Sequence, residues 1–86
     1  MIKVIKFGAD WCGPCKRLEP IIETLVNKNT DVDFQKVNVD TEAEITVQYG
    51  IRNIPVIVFL KDGNEVDRMV GLQSETAIQT KIDSLK

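Results

Sequence analysis

Residues 9–17 read ADWCGPCKR, and they contain the only two cysteines of the 86-residue chain, Cys12 and Cys15. Three residues along a helix advance about 4.5 Å and leave the two Cα atoms about 5 Å apart, inside the window a disulfide tolerates. Such a bond opens and closes with almost no backbone motion. A ring this short restrains the unfolded chain by only about 2 kcal/mol, so the spacing makes a poor structural staple. A tetrahedral zinc site needs four nitrogen or sulfur ligands. Two cysteines and no histidine do not supply them within one chain, and only a dimer sharing the metal would. Covalent haem attachment needs a histidine after the second cysteine, and Lys16 stands there. A redox dithiol remains.

Position makes that chemistry directional. Cys12 falls where a strand-end loop meets a helix, and the free N–H groups and positive dipole end of a first helical turn favour a thiolate. Pro14 is compatible with that turn, which makes no use of the missing N–H. Cys12 is therefore expected to be an exposed, attacking sulfur. Cys15, one turn in and shielded by the helix, is expected to resolve the mixed disulfide that forms on Cys12. Lys16 and Arg17 either add positive potential, opposed by Asp10, or are solvated surface charges. Trp11 either fills the core or, directly before a nucleophile, shields it and touches the partner.

Working outward, residues 2–8 (IKVIKFG) are rich in β-branched side chains and stop at a glycine, which predicts a strand leading into the cysteine segment. From about Cys12 to Lys28, Leu18, Ile21, Ile22, Leu25 and Val26 mark one face of a helix that Pro20 is expected to bend. Residues 32–39 (VDFQKVNV) set Val32, Phe34, Val37 and Val39 against polar neighbours, as a strand with one better-buried face would. Thr41 to Glu44 (TEAE) fits a capping box opening a short helix that closes at Gly50. PVIVFL and EVDRMVG read as two strands joined through Asp62-Gly63, a strong hairpin signal. Ser74 caps a last helix with Ile78, Lys81, Ile82 and Leu85 on its inner side. The first two strands are expected to be parallel and the last two antiparallel, giving an α/β fold of order βαβαββα with a mixed four-stranded sheet and helices on both faces.

Composition narrows the function. Apolar residues are 43% and charged residues 28% of the chain, the balance of one soluble globular domain over residues 1–86. A formal charge of -2, with 11 basic and 13 acidic residues intermixed, offers no stripe for nucleic acid and no polybasic membrane patch. No apolar run approaches a membrane span, and Met1 leads straight into a strand without a secretory signal, so a cytoplasmic protein is expected. The absence of histidine removes imidazole catalysis and Cys-His nucleophile pairs.

WCGPCK, then NVD at 38–40, YGIRNIP at 49–55, KDG at 61–63 and VG at 70–71 resemble the thioredoxin family in order and spacing over essentially the whole chain. The resemblance implies the thioredoxin fold without the family's usual N-terminal strand and helix. It also implies that the Ile54-Pro55 bond is cis, packs against the redox pair and presents the Ile54 backbone to an extended client peptide, as an added strand would be held. Gly71 matches a family glycine that leaves room for that peptide, or simply ends a strand. Lys36 matches a family lysine near the pocket behind the resolving cysteine.

Two positions depart from the pattern. Lys6 stands where the family usually carries a buried Asp that takes the resolving thiol's proton. It either acts on Cys15 as a nearby cation or partly deprotonated base, or snorkels to solvent past a sheet edge. Gly8 replaces an aromatic, which is expected to open the surface around Cys12.

The expected activity is that of a thioredoxin-type protein-disulfide reductase, since the Gly13-Pro14 pair resembles reducing members of the family. Reduced Cys12 attacks a client disulfide and Cys15 releases the reduced client, with neither metal nor nucleotide cofactor. A separate reductase of the thioredoxin-reductase type recharges the protein, which has no Gly-rich dinucleotide fingerprint. The protein is expected to be a monomer. The alternatives are an oxidising or isomerising relative, a glutathione-dependent glutaredoxin-like protein, and a non-catalytic thioredoxin-like binding subunit.

Overall fold

In the computed structural model, which describes residues 1–86, the alternation of IKVIKFG becomes the central strand β1 (Ile2–Gly8). Its even-numbered side chains face one way and its odd-numbered ones the other, as a pleated strand requires. Ile2 and Val4 join Leu18, Ile22 and Leu25 of α1 (Gly13–Lys28) and Ile78 and Ile82 of α3 (Glu75–Leu85) in the larger core. Ile5 and Phe7 join a second core on the opposite face, covered by Ile45 and Tyr49 around α2 (Ala43–Gln48). The remaining strands are β2 (Asp33–Asn38), β3 (Val56–Lys61) and β4 (Asn64–Val70), in spatial order β2-β1-β3-β4. β1 is parallel to β2 and antiparallel to β3, and β3 is antiparallel to β4. The expected element order, mixed sheet and two-sided helix cover are all present.

The β3–β4 turn follows from its two residues. Asp62 at φ 52° and Gly63 at φ 86° both adopt the left-handed conformation that a tight hairpin with right-twisted strands demands. Farther along, Phe59 pairs with Asp67 and Leu60 with Glu65, so Val66 is bulged out of the ladder and exposed. Ser74 caps α3 as expected, its hydroxyl accepting the Ala77 N–H at 3.1 Å. Lys81 on the inner side of α3 is half-buried and pairs with Asp67 of β4 at 2.6 Å.

Three expectations need correction. The apolar residues of 32–39 do not share a face: Val32 and Phe34 pack into the larger core, Val37 and Val39 into the other. Both faces of the sheet are roofed by helices, so neither has to be polar. Val26 falls at the margin of the α1 stripe and stays 39% exposed. Thr41 does not open a capping box. The Glu42 carboxylate turns back to accept the Asn38 N–H at 2.9 Å, and α2 begins after Glu42 with no side-chain cap. Its end is as expected, with Gly50 at φ 62°, Ile51 N–H donating to Thr46 C=O and Gly50 N–H to Val47 C=O.

One amide pair, with Asn29 buried and Gln79 half-buried, closes α1 against α3. Asn29, 2% exposed, donates to Leu25 C=O at 2.8 Å and exchanges two hydrogen bonds with the Gln79 amide, at 2.7 and 2.9 Å. Ile78 and Ile82 then seal the apolar layer. Ile82→Ala is expected to cost about 2–5 kcal/mol of unfolding free energy in urea; a loss under about 1 kcal/mol would show that α3 does not close this core.

Candidate active site

β1 stops at Gly8, and Ala9, Asp10 and Trp11 carry the chain over the sheet edge into α1. Cys12 is the N-cap, with extended backbone angles (φ -89°, ψ 112°), and its C=O accepts the Lys16 N–H. Its sulfur does what a capping oxygen does elsewhere: Cys12 Sγ accepts the Cys15 N–H at 3.2 Å. Pro14 sits within the first turn, as expected. The two sulfurs are joined in a disulfide across a Cα–Cα distance of 5.2 Å, so the helical geometry brings the pair together as the spacing requires.

The expectation of an exposed Cys12 needs correcting. Cys12 is 5% exposed and Cys15 1%, in an apolar cluster with Ala9, Val39 and Ile54. Cys12 remains the more open of the two. Trp11 is not core filling: it is 70% exposed, and its indole N–H donates to Asp40 Oδ2 at 2.8 Å. Asp40 is held in turn, its N–H donating to Asn38 Oδ1 while Val39 N–H donates to Gly8 C=O. The corner after β2 thereby fixes the indole beside the pair. Asp40 lies inside the NVD segment, and a carboxylate 29 positions from the indole carries no local sequence signal of this contact. Lys16 and Arg17 are exposed and make no ion pair, as solvated charges do.

The segment before β3 flanks the pair. The Ile54-Pro55 bond is cis, Pro55 is buried, and the Ile54 side chain packs against Ala9 and the two cysteines. Ile54 N–H and C=O take no part in the backbone hydrogen bonding, while Pro55 C=O accepts the Gly71 N–H at 2.8 Å. Gly71 has φ 92°, and a Cβ added there would meet nothing within 4 Å. Backbone conformation, rather than crowding by the chain, accounts for this glycine. A shallow cavity of about 260 Å³ runs beside the pair, lined by Trp11, Val39, Thr46, Ile51, Arg52 and Ile54.

Behind the pair lies Lys6, 6% exposed, which the reading as a solvent-reaching lysine does not fit. It faces a cavity of about 150 Å³ whose walls include Gly8, Asp10, Glu19, Lys36 and Asn38. Lys36 is exposed, paired in register with Lys6 across β1 and β2. Lys6 Nζ lies 3.9 Å from Glu19 Oε1. Burial lowers the Lys6 pKa, Glu19 opposes that effect and Lys36 adds to it. Gly8 is buried, and its effect falls on Cys15 instead of the surface around Cys12. A Cβ there would stand 3.2 Å from Cys15 Sγ, 3.3 Å from Cys15 Cβ and 3.4 Å from Lys6 Cε. Gly13, by contrast, is exposed and open.

The thioredoxin family model matches residues 1–84. The chain belongs to the thioredoxin family. It is 49% identical over 70 residues to thioredoxin H8 of Arabidopsis thaliana, covering 81% of this chain and 47% of that protein. It is 44% identical over 75 residues to a thioredoxin of Chlamydia caviae, covering 87% of this chain and 74% of the relative. The chain thus spans about half the length of the plant thioredoxin. The Fasciola hepatica thioredoxin crystal structure superposes with a TM-score of 0.93 at 40% identity, covering 99% of this chain and 81% of the other. The thioredoxin fold is therefore shown by sequence and by shape.

Two measurements check this account of the thioredoxin site. Gly8→Ala is expected to lower the melting temperature by several degrees, because its new methyl presses on Cys15, whereas Gly13→Ala leaves it within a degree or so. Equal effects would remove the crowding argument. Lys6→Met is expected to stabilise the fold at neutral pH. The folded chain binds the Lys6 proton less readily than the unfolded one does, so the cost of burial is complete below the folded pKa. It is relieved as pH rises toward the ordinary value of 10.5. Urea titrations of both proteins should show the advantage of Lys6→Met shrinking across that alkaline range; a constant difference would contradict it.

Proposed function

We propose that this chain is a thiol–disulfide oxidoreductase that reduces disulfides in client proteins, using Cys12 as the attacking sulfur and Cys15 as the resolving one. The observation that carries the reading is the bonded pair at the mouth of α1, with Cys12 Sγ accepting the Cys15 N–H. A backbone donor aimed at Cys12 Sγ, together with the positive end of a 16-residue helix, stabilises negative charge on that sulfur and so favours the nucleophilic form. The Cys12 thiolate attacks a client sulfur and displaces the other client thiolate. Cys15 then attacks Cys12 Sγ, closes the internal disulfide and frees the reduced client.

Trp11, Ile54, Pro55 and Gly71 form the client-binding side in this proposal. The unpaired Ile54 N–H and C=O support the capture of an extended peptide by strand-like hydrogen bonds. Gly13 and Pro14 support the active loop, Lys6 and Lys36 the pocket behind it. The whole chain, 1–86, acts as one domain and as a monomer. Its electrons come from a separate reductase of the thioredoxin-reductase type. The working compartment in this proposal is the cytoplasm.

Insulin reduction driven by dithiothreitol tests the reading. Cys12→Ser is expected to fall to the uncatalysed rate. Cys15→Ser is expected to accumulate a mixed disulfide on Cys12, seen as an added client mass that dithiothreitol removes. Full activity in Cys12→Ser would leave a binding subunit with incidental sulfurs. A reduction potential above about -180 mV would move the assignment to an oxidant or isomerase.

A further inference from the structure

Only two charged or amide side chains are buried in this protein, and they are not equivalent. Asn29 is engaged by Leu25 and Gln79. Lys6 makes no side-chain hydrogen bond and has one distant ion-pair partner, Glu19 at 3.9 Å. Burying a lysine with so little compensation costs stability, and an apolar residue of similar length would avoid the cost. The lysine does have a second neighbour. Lys6 Cε and Cys15 Sγ lie 3.4 and 3.2 Å from one point, the place a Cβ on Gly8 would occupy, and Gly8 leaves that point empty. The aliphatic end of Lys6 and the sulfur therefore border the same gap over Gly8.

We propose that Lys6 sets the charge state of Cys15, its ammonium stabilising the Cys15 thiolate from behind the helix during the resolving step. The proposal rests on the reading of Cys15 as the resolving sulfur. In the mixed disulfide on Cys12, the Cys15 thiol releases its proton to solvent and becomes a thiolate beside the Lys6 ammonium. The thiolate attacks Cys12 Sγ. The Cys12–Cys15 bond forms, the Cys12–client bond breaks, and the electron pair leaves on the client sulfur, which takes a proton from solvent. The two cysteines together are oxidised by two electrons, and the client disulfide is reduced by two.

The surrounding charges favour Lys6 for this part. α1 presents Glu19 to the cavity, β2 presents Lys36, and the segment after β1 presents Asp10. β3 faces Lys6 with Ile57 and adds no charge. Glu19, Lys36 and Asp10 are all exposed, so water screens them, whereas Lys6 is buried and its Cε borders the same gap over Gly8 as Cys15 Sγ. Cys15 Sγ accepts no backbone hydrogen bond, and the Cys15 N–H is already given to Cys12 Sγ.

Cys12→Ser leaves Cys15 as the only thiol, and the ultraviolet absorbance of its thiolate is read against pH in the full-length reduced protein. Adding Lys6→Met or Lys6→Gln, which differ in shape and agree in charge, is expected to raise the Cys15 midpoint by about one pH unit in both. That corresponds to about tenfold less thiolate at a given pH. In the protein with both cysteines, the same substitutions should move the pH profile of client release from the mixed disulfide alkaline by the same amount. Circular dichroism confirms the fold of each variant. An unchanged Cys15 midpoint in the folded variants, or a change in one variant only, overturns the proposal. Loss of insulin reduction by the unmodified protein would strike at the redox reading instead, and this titration does not depend on it.

Discussion

Everything in this molecule hangs from a central strand that is paired on both edges and covered on both faces. β1 carries the registers to β2 and β3 along its length, so a slip of one residue would exchange its two cores and turn Lys6 to the opposite face. The same register places Gly8 at the sheet edge, and with it the start of α1. A helix that begins there aims its free N–H groups outward, beside the corner after β2 and the segment before β3. The active site is the one end of the sheet where three chain crossings meet the mouth of a helix. Its chemistry follows from the topology before any side chain is considered.

Local sequence signals determine much of this. Asp62-Gly63 requires left-handed angles at both turn positions, Ser74 supplies a capping hydroxyl, and Gly50 terminates α2, each through atoms within a few residues. The cysteine spacing belongs to the same class, because one helical turn fixes both sulfurs. Where the sequence misled, a neighbour a few residues away won a local competition. Thr41 and Glu44 do not form the expected capping box: Glu42 accepts the Asn38 N–H instead, and the helix starts after it. The division of Val32 and Phe34 from Val37 and Val39 has another cause, since periodicity alone does not reveal that both faces of a sheet are roofed.

What the sequence withheld is the long-range polar pairing. Asn29 with Gln79 and Trp11 with Asp40 join residues 50 and 29 positions apart, and neither residue type announces its partner. The burial of Lys6 was equally hidden. Whether a lysine on a central strand reaches solvent depends on what the neighbouring helix and strand put in its path, and here Lys6 stays buried at the base of a small cavity bordered by Glu19 and Lys36. The resemblance to thioredoxins located the position; only the packing decided between a snorkelling side chain and an enclosed one.

The two sulfurs then meet different physical requirements from one short segment. Cys12, at the cap, is served by main chain: a helix end and the Cys15 N–H stabilise its anion whatever side chains surround it. Cys15 gains nothing from that source, because its own N–H is spent on its neighbour and its sulfur faces the sheet. An anion there depends on side chains reaching it from β1, and the absence of a Cβ at Gly8 leaves Cys15 uncrowded beside the aliphatic end of Lys6. A small residue and a charged one, two positions apart on the same pleat, thus act together. The glycine would cost packing and the lysine would cost desolvation if either stood alone, and the charge control proposed for Cys15 would give both departures from the family pattern a single physical reason.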